Sequence, residues 1–429
     1  MLKDLFKKIK TLAQEGLFHI FGSSVLAKMM GLISSVVVVR QLPKVDYGYY
    51  VSANNLYSYL AIFIGMGLSS AILQYCSEQV SQGRKNSVYR YSLLTGSICN
   101  VLVCIATLAL SFWKQKTGNP EVAYYLRLMC GLPFVVFADS SQQIVLRVKL
   151  KNQTFSYANM LHSVVLLAGN VAFTILWGIP GLIYSLYLSY VASASVCSGA
   201  LFREGFYRNI FREQHKLARK DRIEINNFAL ICAITNFAST VLVLLDVTCL
   251  DLVLGDAAVL ADYKVASTIP AACAFIPSCL MTFLYPKLVV AFSETKRMSF
   301  DSLKKLGQLF LGINGLVCVG LCLFAPLIIW VIFGAKYMNI TPIFVILSVE
   351  YLAHSVRMLL GNVIAVIKKV KINLLLSVIS GFVKIGLNLI LIHTLQSIGA
   401  AIATLVVSVL IAVMELCYLR YYFKKQASA

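Results

Sequence analysis

Charged residues are scarce in this chain. Only 13% of its 429 residues are Asp, Glu, Lys or Arg, where a soluble domain carries about 25%. Acids are the scarcer kind, at 18 against 38 Lys and Arg. Polar stretches are short as well: the longest, 203–224, carries seven basic residues, and no loop is long enough for a soluble catalytic domain. The 12 cysteines lie within or close to apolar runs and form no C-x-x-C pair. Neither a disulfide framework nor a zinc site is indicated, and single buried cysteines act as small hydrophobes. There is no G-x-x-x-x-G-K-[ST] phosphate loop, so the chain does not hydrolyse ATP. H-E-x-x-H and G-x-S-x-G are missing too. No catalytic residue, metal or cofactor is expected, and energy must come from an ion gradient, the membrane potential or downhill use of the product.

What the chain has in quantity is apolar sequence. Hydrophobic residues make up 59% of it, and the mean hydropathy is +0.79. The apolar runs are too long and too regularly spaced to fill one soluble core. A helix crosses the hydrocarbon with about 20 apolar residues, and closed helices satisfy every backbone polar group where water is missing. A β-barrel would need alternating segments of about 10 residues with a polar lumen face, which this sequence does not offer. The expectation is an all-α polytopic membrane protein of about twelve transmembrane helices. The spans fall near 16–40, 47–75, 88–112, 122–146, 155–178, 180–202, 226–253, 257–284, 306–333, 341–366, 372–395 and 397–419.

The placement of charge orients these spans. With the N-terminus inside, the cytoplasmic segments hold 27 of the 38 Lys and Arg, the outer segments five (Arg40, Lys44, Lys114, Lys116 and Lys336), and the spans the rest. That asymmetry is the positive-inside signal, and it puts both termini in the cytoplasm of an inner membrane. The formal charge of +20 is spread over short loops facing anionic membrane lipids, so nucleic acid is not a partner. Residues 1–12 place Leu2, Leu5, Phe6 and Ile9 on one face and lysines elsewhere, as a short interfacial helix does. No small-residue cleavage site follows, so the first span reads as an uncleaved signal anchor.

The basic stretch after the sixth span separates an N-terminal six-helix bundle (1–210), a cytoplasmic linker (211–225) and a C-terminal six-helix bundle (226–429). Faint self-similarity supports duplication. Asp46-Tyr47 matches Asp262-Tyr263, Arg147-Val-Lys-Leu-Lys-Asn152 matches Lys368-Lys-Val-Lys-Ile-Asn373, and the turn at Ile179-Pro-Gly181 matches Ser397-Ile-Gly399, at offsets of 216 to 221. Six spans is an even number, so both halves run the same way, a parallel repeat of the kind transporters use.

Ionisable residues at membrane depth are costly and face a bundle interior or a wet cavity. Ser24, Lys28, Gly31 and Ser35 form one helical stripe in the first span. Glu350, His354, Arg357 and Gly361 repeat that spacing in the tenth, and Ser377, Gly381, Lys384 and Asn388 in the eleventh. The seventh span adds Asn236, Ser239 and Asp246. The serines and glycines also suit plain helix packing. Lys28, Arg357 and Lys384 lie too deep to snorkel comfortably, whereas Arg90, Arg127 and Lys264 stand nearer span ends, where snorkelling explains them. Together these six cations are the candidates for holding an anionic cargo, since Lys and Arg suit phosphate. Asp139, Asp246, Glu350 and His354 are the candidates for ion coupling. Glu350 and Arg357 also lie close enough along one face to neutralise each other.

Short motifs then suggest a family. Phe21-Gly-Ser-Ser24, Lys28, Gly31, Arg40-Gln-Leu42 and Asp46-Tyr-Gly48 resemble the amino-terminal signature of bacterial polysaccharide exporters, with Pro43-Lys-Val45 in place of the usual Gly-Pro step. Tyr285-Pro286, Phe333-Gly334 with Tyr337, and Gly399-Ala-Ala-Ile402 extend the likeness along the chain. The sequence resembles the O-antigen and capsular repeat-unit flippases, the Wzx-type branch of the multidrug/oligosaccharidyl-lipid/polysaccharide superfamily. That resemblance implies two six-helix bundles around a central cavity, alternating access, and undecaprenyl-pyrophosphate-linked oligosaccharide as cargo, with glycan polymerase machinery as a candidate partner. Lipid II flippases of the same superfamily usually carry two more helices. Two alternatives stay open: a cation-coupled drug exporter of the superfamily, which calls for acidic cavity residues, and a membrane-embedded glycan polymerase or ligase, which calls for a large outer loop.

Overall fold

A computed structural model describes residues 17–77, 81–212, 217–281, 284–285, 288, 300–367 and 369–427. The interfacial segment 1–12 and Pro286 lie outside the described residues. Fifteen helices carry the fold, and no strand occurs among the described residues, so the expected all-α membrane architecture holds. In order they are α1 (Leu17–Gln41), α2 (Lys44–Ala61), α3 (Leu68–Ser77), α4 (Gln82–Lys116), α5 (Pro120–Met129), α6 (Leu132–Val148), α7 (Asn152–Trp177) and α8 (Ile179–Arg203). Then come α9 (Phe206–Arg212), α10 (Arg219–Val253), α11 (Ala257–Cys273), α12 (Phe300–Leu323), α13 (Ala325–Phe333), α14 (Thr341–Val366) and α15 (Val370–Ala427). Prolines open α5, α6, α8, α13 and α14, where the missing N–H has no helical partner to lose. Asp256 caps α11 by accepting the Ala258 N–H at 2.8 Å.

Nine runs among the described residues are long and apolar enough to cross a membrane, and the bent α10 makes ten. The longest is itself two crossings. Lys384 and Thr404 of α15 both bond the same carboxylate oxygen of Asp246, although twenty residues of straight helix would hold them about 30 Å apart. The run folds back at Gln396, where φ is 51° and ψ −130°. Counting it twice, and adding the 25 residues of α1, reproduces the twelve spans read from the sequence.

The turn at Gln396 has a counterpart 218 residues earlier, where Gly178 has φ 62° and ψ −134°. Each turn is closed by a glycine packed on the end of the preceding helix. A Cβ on Gly181 would lie 2.0 Å from the Phe173 carbonyl oxygen, and one on Gly399 would lie 2.1 Å from that of Leu391. The buried Asn170 and Asn388 keep the same 218-residue offset.

In the N-terminal unit two spans are broken between α2 and α6, which apolar runs alone do not show. A 3-10 turn at Ile64–Gly67 separates α2 from α3, and Cys130-Gly131 separates α5 from α6. A break in the hydrocarbon frees backbone groups that must find partners within the protein. Asn100 of α4 serves both breaks: its Oδ1 accepts the Gly65 N–H at 2.8 Å, and its Nδ2 donates to the Pro133 carbonyl at 3.3 Å. The Cys104 thiol and the Tyr187 hydroxyl donate to the carbonyls of Cys130 and Leu128, each at 2.8 Å.

The chain divides into two compact units, Met1–Val241 and Leu242–Ala429, the division falling inside α10. In the first, Leu68, Ile72, Tyr89, Leu146, Leu201 and Phe206 form a fully enclosed core. The early part of α10 belongs to it, with Asn226 bonded to Tyr91 and Glu224 accepting from Tyr75. In the second, Phe310, Leu359, Val363, Ile364 and Leu419 form the core. Exposed large residues such as Leu316, Leu323 and Phe382, each at least 70% exposed, give the outer faces the apolar surface that lipid requires.

Candidate functional site

The densest polar cluster lies in the C-terminal unit, and it is assembled around Asp246 of α10. Its carboxylate accepts from the Tyr263 hydroxyl at 2.8 Å, the Lys384 ammonium at 3.0 Å, the Thr404 hydroxyl at 2.8 Å and the Asn388 amide at 3.0 Å. Three of the four bonds fall on Oδ2 and the Asn388 bond on Oδ1, so both oxygens are engaged. Lys384 donates a second bond to the Leu242 carbonyl at 2.9 Å. Each member of the ion pair keeps only 7% of its side chain exposed. Helical spacing makes this geometry: Ser380, Lys384 and Asn388 stand at i, i+4 and i+8 on the buried face of α15. Gly381 brings that face against Leu242, 3.2 Å from where its Cβ would be.

A second cluster follows the α14 stripe. Glu350 accepts from Ser408 at 2.7 Å. Arg357, half-buried, lies in electrostatic range of both Glu350 and Glu415. Glu415 is buried, and its Oε2 has no hydrogen-bond partner. His354 is half-buried beside Arg357.

In the N-terminal unit, Asp139 of α6 is buried and accepts from Ser193 at 2.5 Å and from Gln143 at 2.8 Å. His162 of α7 lies in electrostatic range of it. The imidazole packs 4.6 Å from the Tyr190 ring, and its Nδ1 is buried without a hydrogen-bond partner.

The remaining candidate cations stand on other helices. Lys28, Arg90 and Lys264 have exposed side chains on α1, α4 and α11. Arg127 is held to the end of α4 by Ser111 at 3.1 Å, by Gln115, and by the Phe112 ring at 5.6 Å. The structure thus brings together Asp246 with Lys384, and Glu350 with Arg357 and His354, all within the C-terminal unit. The sequence pattern shows Tyr263 only as a repeat marker, and it does not single out Thr404, Glu415 or His162. The last three had a signal, since each is a polar residue in an apolar run, and Thr404, Ser408 and Glu415 share one helical face.

Where α6 ends and α8 ends, Lys149 and Lys151 bind Glu204 at 2.8 and 2.5 Å. Their hydrogen bonds, Lys149 foremost, hold the Glu204 carboxyl below the usual glutamate value.

Comparison with known proteins places this architecture. An uncharacterized membrane protein of Methanocaldococcus jannaschii is 21% identical over 403 residues, covering 88% of this chain and 78% of the relative. The fold is similar to that of a multidrug resistance MATE family transporter of the MOP superfamily in its inward-facing conformation, with TM-score 0.74 and 18% identity over 94% of this chain and 96% of that one. It is also similar to the lipid II flippase MurJ in its inward closed conformation, with TM-score 0.72 and 15% identity over 94% and 87% of the two chains. The sequence pattern described as "Polysaccharide biosynthesis protein" matches residues 13–292. That is well over half of the chain, and it agrees with the resemblance carried by Phe21–Gly48: the chain belongs to the polysaccharide biosynthesis protein family.

Proposed function

We propose that this protein is a transporter, not an enzyme, which moves undecaprenyl-pyrophosphate-linked oligosaccharide repeat units of O-antigen or capsule from the cytoplasmic to the periplasmic leaflet of the inner membrane. The family match over residues 13–292 carries this reading, and the fold shared with a lipid II flippase supports a lipid-linked saccharide as cargo. Alternating access of two six-helix halves, 1–210 and 226–429, with both termini cytoplasmic, is the expected mechanism. Lys28 and Arg357 are the best candidates for the pyrophosphate, with Arg90, Arg127 and Lys264 as secondary ones. Lys384 would reach it only by leaving Asp246. Separating a buried ion pair costs about 3–5 kcal/mol, so we assign Lys384 to ion coupling with Asp246, alongside Asp139, Glu350 and His354. In proteoliposomes, labelled lipid-linked oligosaccharide should become accessible on the opposite face without new glycosidic bonds. Formation of longer glycans would identify a polymerase instead.

One observation favours a second reading. Among the described residues of the C-terminal unit, three acids are buried, Asp246, Asp262 and Glu415, against one cation, Lys384, as a cation-coupled drug exporter calls for. Drug efflux with no movement of lipid-linked sugar would decide for it.

A further inference from the structure

Three features meet at one corner of the N-terminal unit. The first is a cavity of about 300 Å³ between α4, α6 and α9, walled by Leu93, Ser97, Phe134, Phe137, Val145 and Phe206. Along α6 it runs from Phe134 to Val145, about 16 Å at 1.5 Å per residue, close to the roughly 15 Å depth of one leaflet's hydrocarbon. Phe134 is 44% exposed, and on α4 Leu94 and Ile98 are 54% and 66% exposed, so the groove opens on a surface suited to lipid.

The second feature is charge at the cytoplasmic end. The Lys149 ammonium lies 5.0 Å over the ring of Phe206, a wall residue. Lys149 and Lys151 share the single Glu204 carboxylate, which leaves one positive charge in the group. The third is α9, which buries Phe206 and Ile210 while exposing Phe211 beside Arg208 and Arg212. That is the pattern of a segment lying at the headgroup boundary.

The polar groups of the wall need no outside partner. Ser97 donates to the Leu93 carbonyl, Ser141 to that of Ala138, Tyr207 to Ser198, and Ser198 to Gln142. The groove is therefore apolar in what it offers a ligand. Its volume and length fit one straight hydrocarbon chain and are too small for a polyprenyl tail several times longer.

We propose that this groove holds one acyl chain of an anionic glycerophospholipid of the cytoplasmic leaflet, with the lipid phosphate against Lys149. The site is separate from the transported cargo and does not depend on the cargo's identity. Native mass spectrometry of the full chain in detergent tests it, with phosphatidylglycerol, phosphatidylcholine and undecaprenyl phosphate titrated separately. One phosphatidylglycerol should be retained per chain. A single lysine at an anionic headgroup is worth about fivefold in binding, so Lys149→Gln should lower phosphatidylglycerol retention by about that factor and leave phosphatidylcholine unchanged. Ser97→Phe fills the groove from its exposed side and should abolish retention in protein whose thermal unfolding is unaltered. Should that variant fail to fold, the surface change at Lys149 still decides. Equal retention of phosphatidylcholine and phosphatidylglycerol, unchanged retention in folded Ser97→Phe, or stronger retention of undecaprenyl phosphate would each overturn the proposal.

Discussion

Lys384 and Asp246 stand 138 residues apart in sequence, yet their charged atoms meet at 3.0 Å. The pair ties α10 to the first arm of α15, while Thr404 on the second arm joins the same carboxylate oxygen. One buried anion therefore fixes the fold-back of the longest helical run and neutralises a cation that would otherwise be free to bind cargo.

Removing one partner should expose the cost of the other. Lys384→Met leaves Asp246 buried and unpaired, and should destabilise the protein by about 3–5 kcal/mol. Lys384→Met combined with Asp246→Asn should recover most of that loss. Thermal unfolding in detergent measures both. A single variant as stable as the parent would refute the pairing.

The two hairpin turns predict opposite responses to small changes. Gly181→Ala and Gly399→Ala drive a Cβ into a carbonyl oxygen and should each sharply reduce folded protein. Gln396→Gly relieves a side chain from a positive φ of 51° and should stabilise by about 1 kcal/mol. Yields on size-exclusion chromatography and melting temperatures check both directions.

Asn100→Leu should cost about 2 kcal/mol, because the Gly65 N–H would lose its partner, and the Pro133 carbonyl its side-chain donor, where no water can replace it. Hydrogen exchange should then rise at residues 62–68 and 130–134 first. Protection that stays unchanged there would mean the breaks are held by other contacts.

Much of this was legible in the sequence. Span positions follow from runs of apolar residues, and the hairpins from Gly178, Gly181 and Gly399. The breaks at Gly65 and Gly131 were not, because glycine and proline are common in membrane helices and a break is tolerated only when a distant residue, here Asn100, meets the freed groups. Nor was the neutralisation of Lys384. Its stripe on α15 was visible, but which face of which helix it meets is decided by packing. Glu415 and His162 follow the same rule: each has a polar neighbour at helical spacing, Ser408 and Asn159, but which helix it meets is decided by packing.

Stability should depend on pH through Glu204, at the C-terminal end of α8. Its bonds to Lys149 and Lys151 hold its carboxyl below the ordinary value of 4.5. The contribution is therefore complete above that value and is lost as pH falls through the lower, folded-state one. Melting temperatures of the wild type and Glu204→Gln should differ at neutral pH and converge in acid. A gap that persists or widens in acid would exclude the assignment.

The central claim is that the chain translocates a lipid-linked saccharide. Proteoliposomes loaded with fluorescent undecaprenyl-pyrophosphate oligosaccharide, probed from outside by an impermeant quencher, test it most directly. Protein-dependent transbilayer movement is expected with no change in glycan length, reduced at least about tenfold when Lys28 and Arg357 are both replaced by Ala. Movement no faster than in protein-free vesicles, at confirmed folding and insertion, would contradict it.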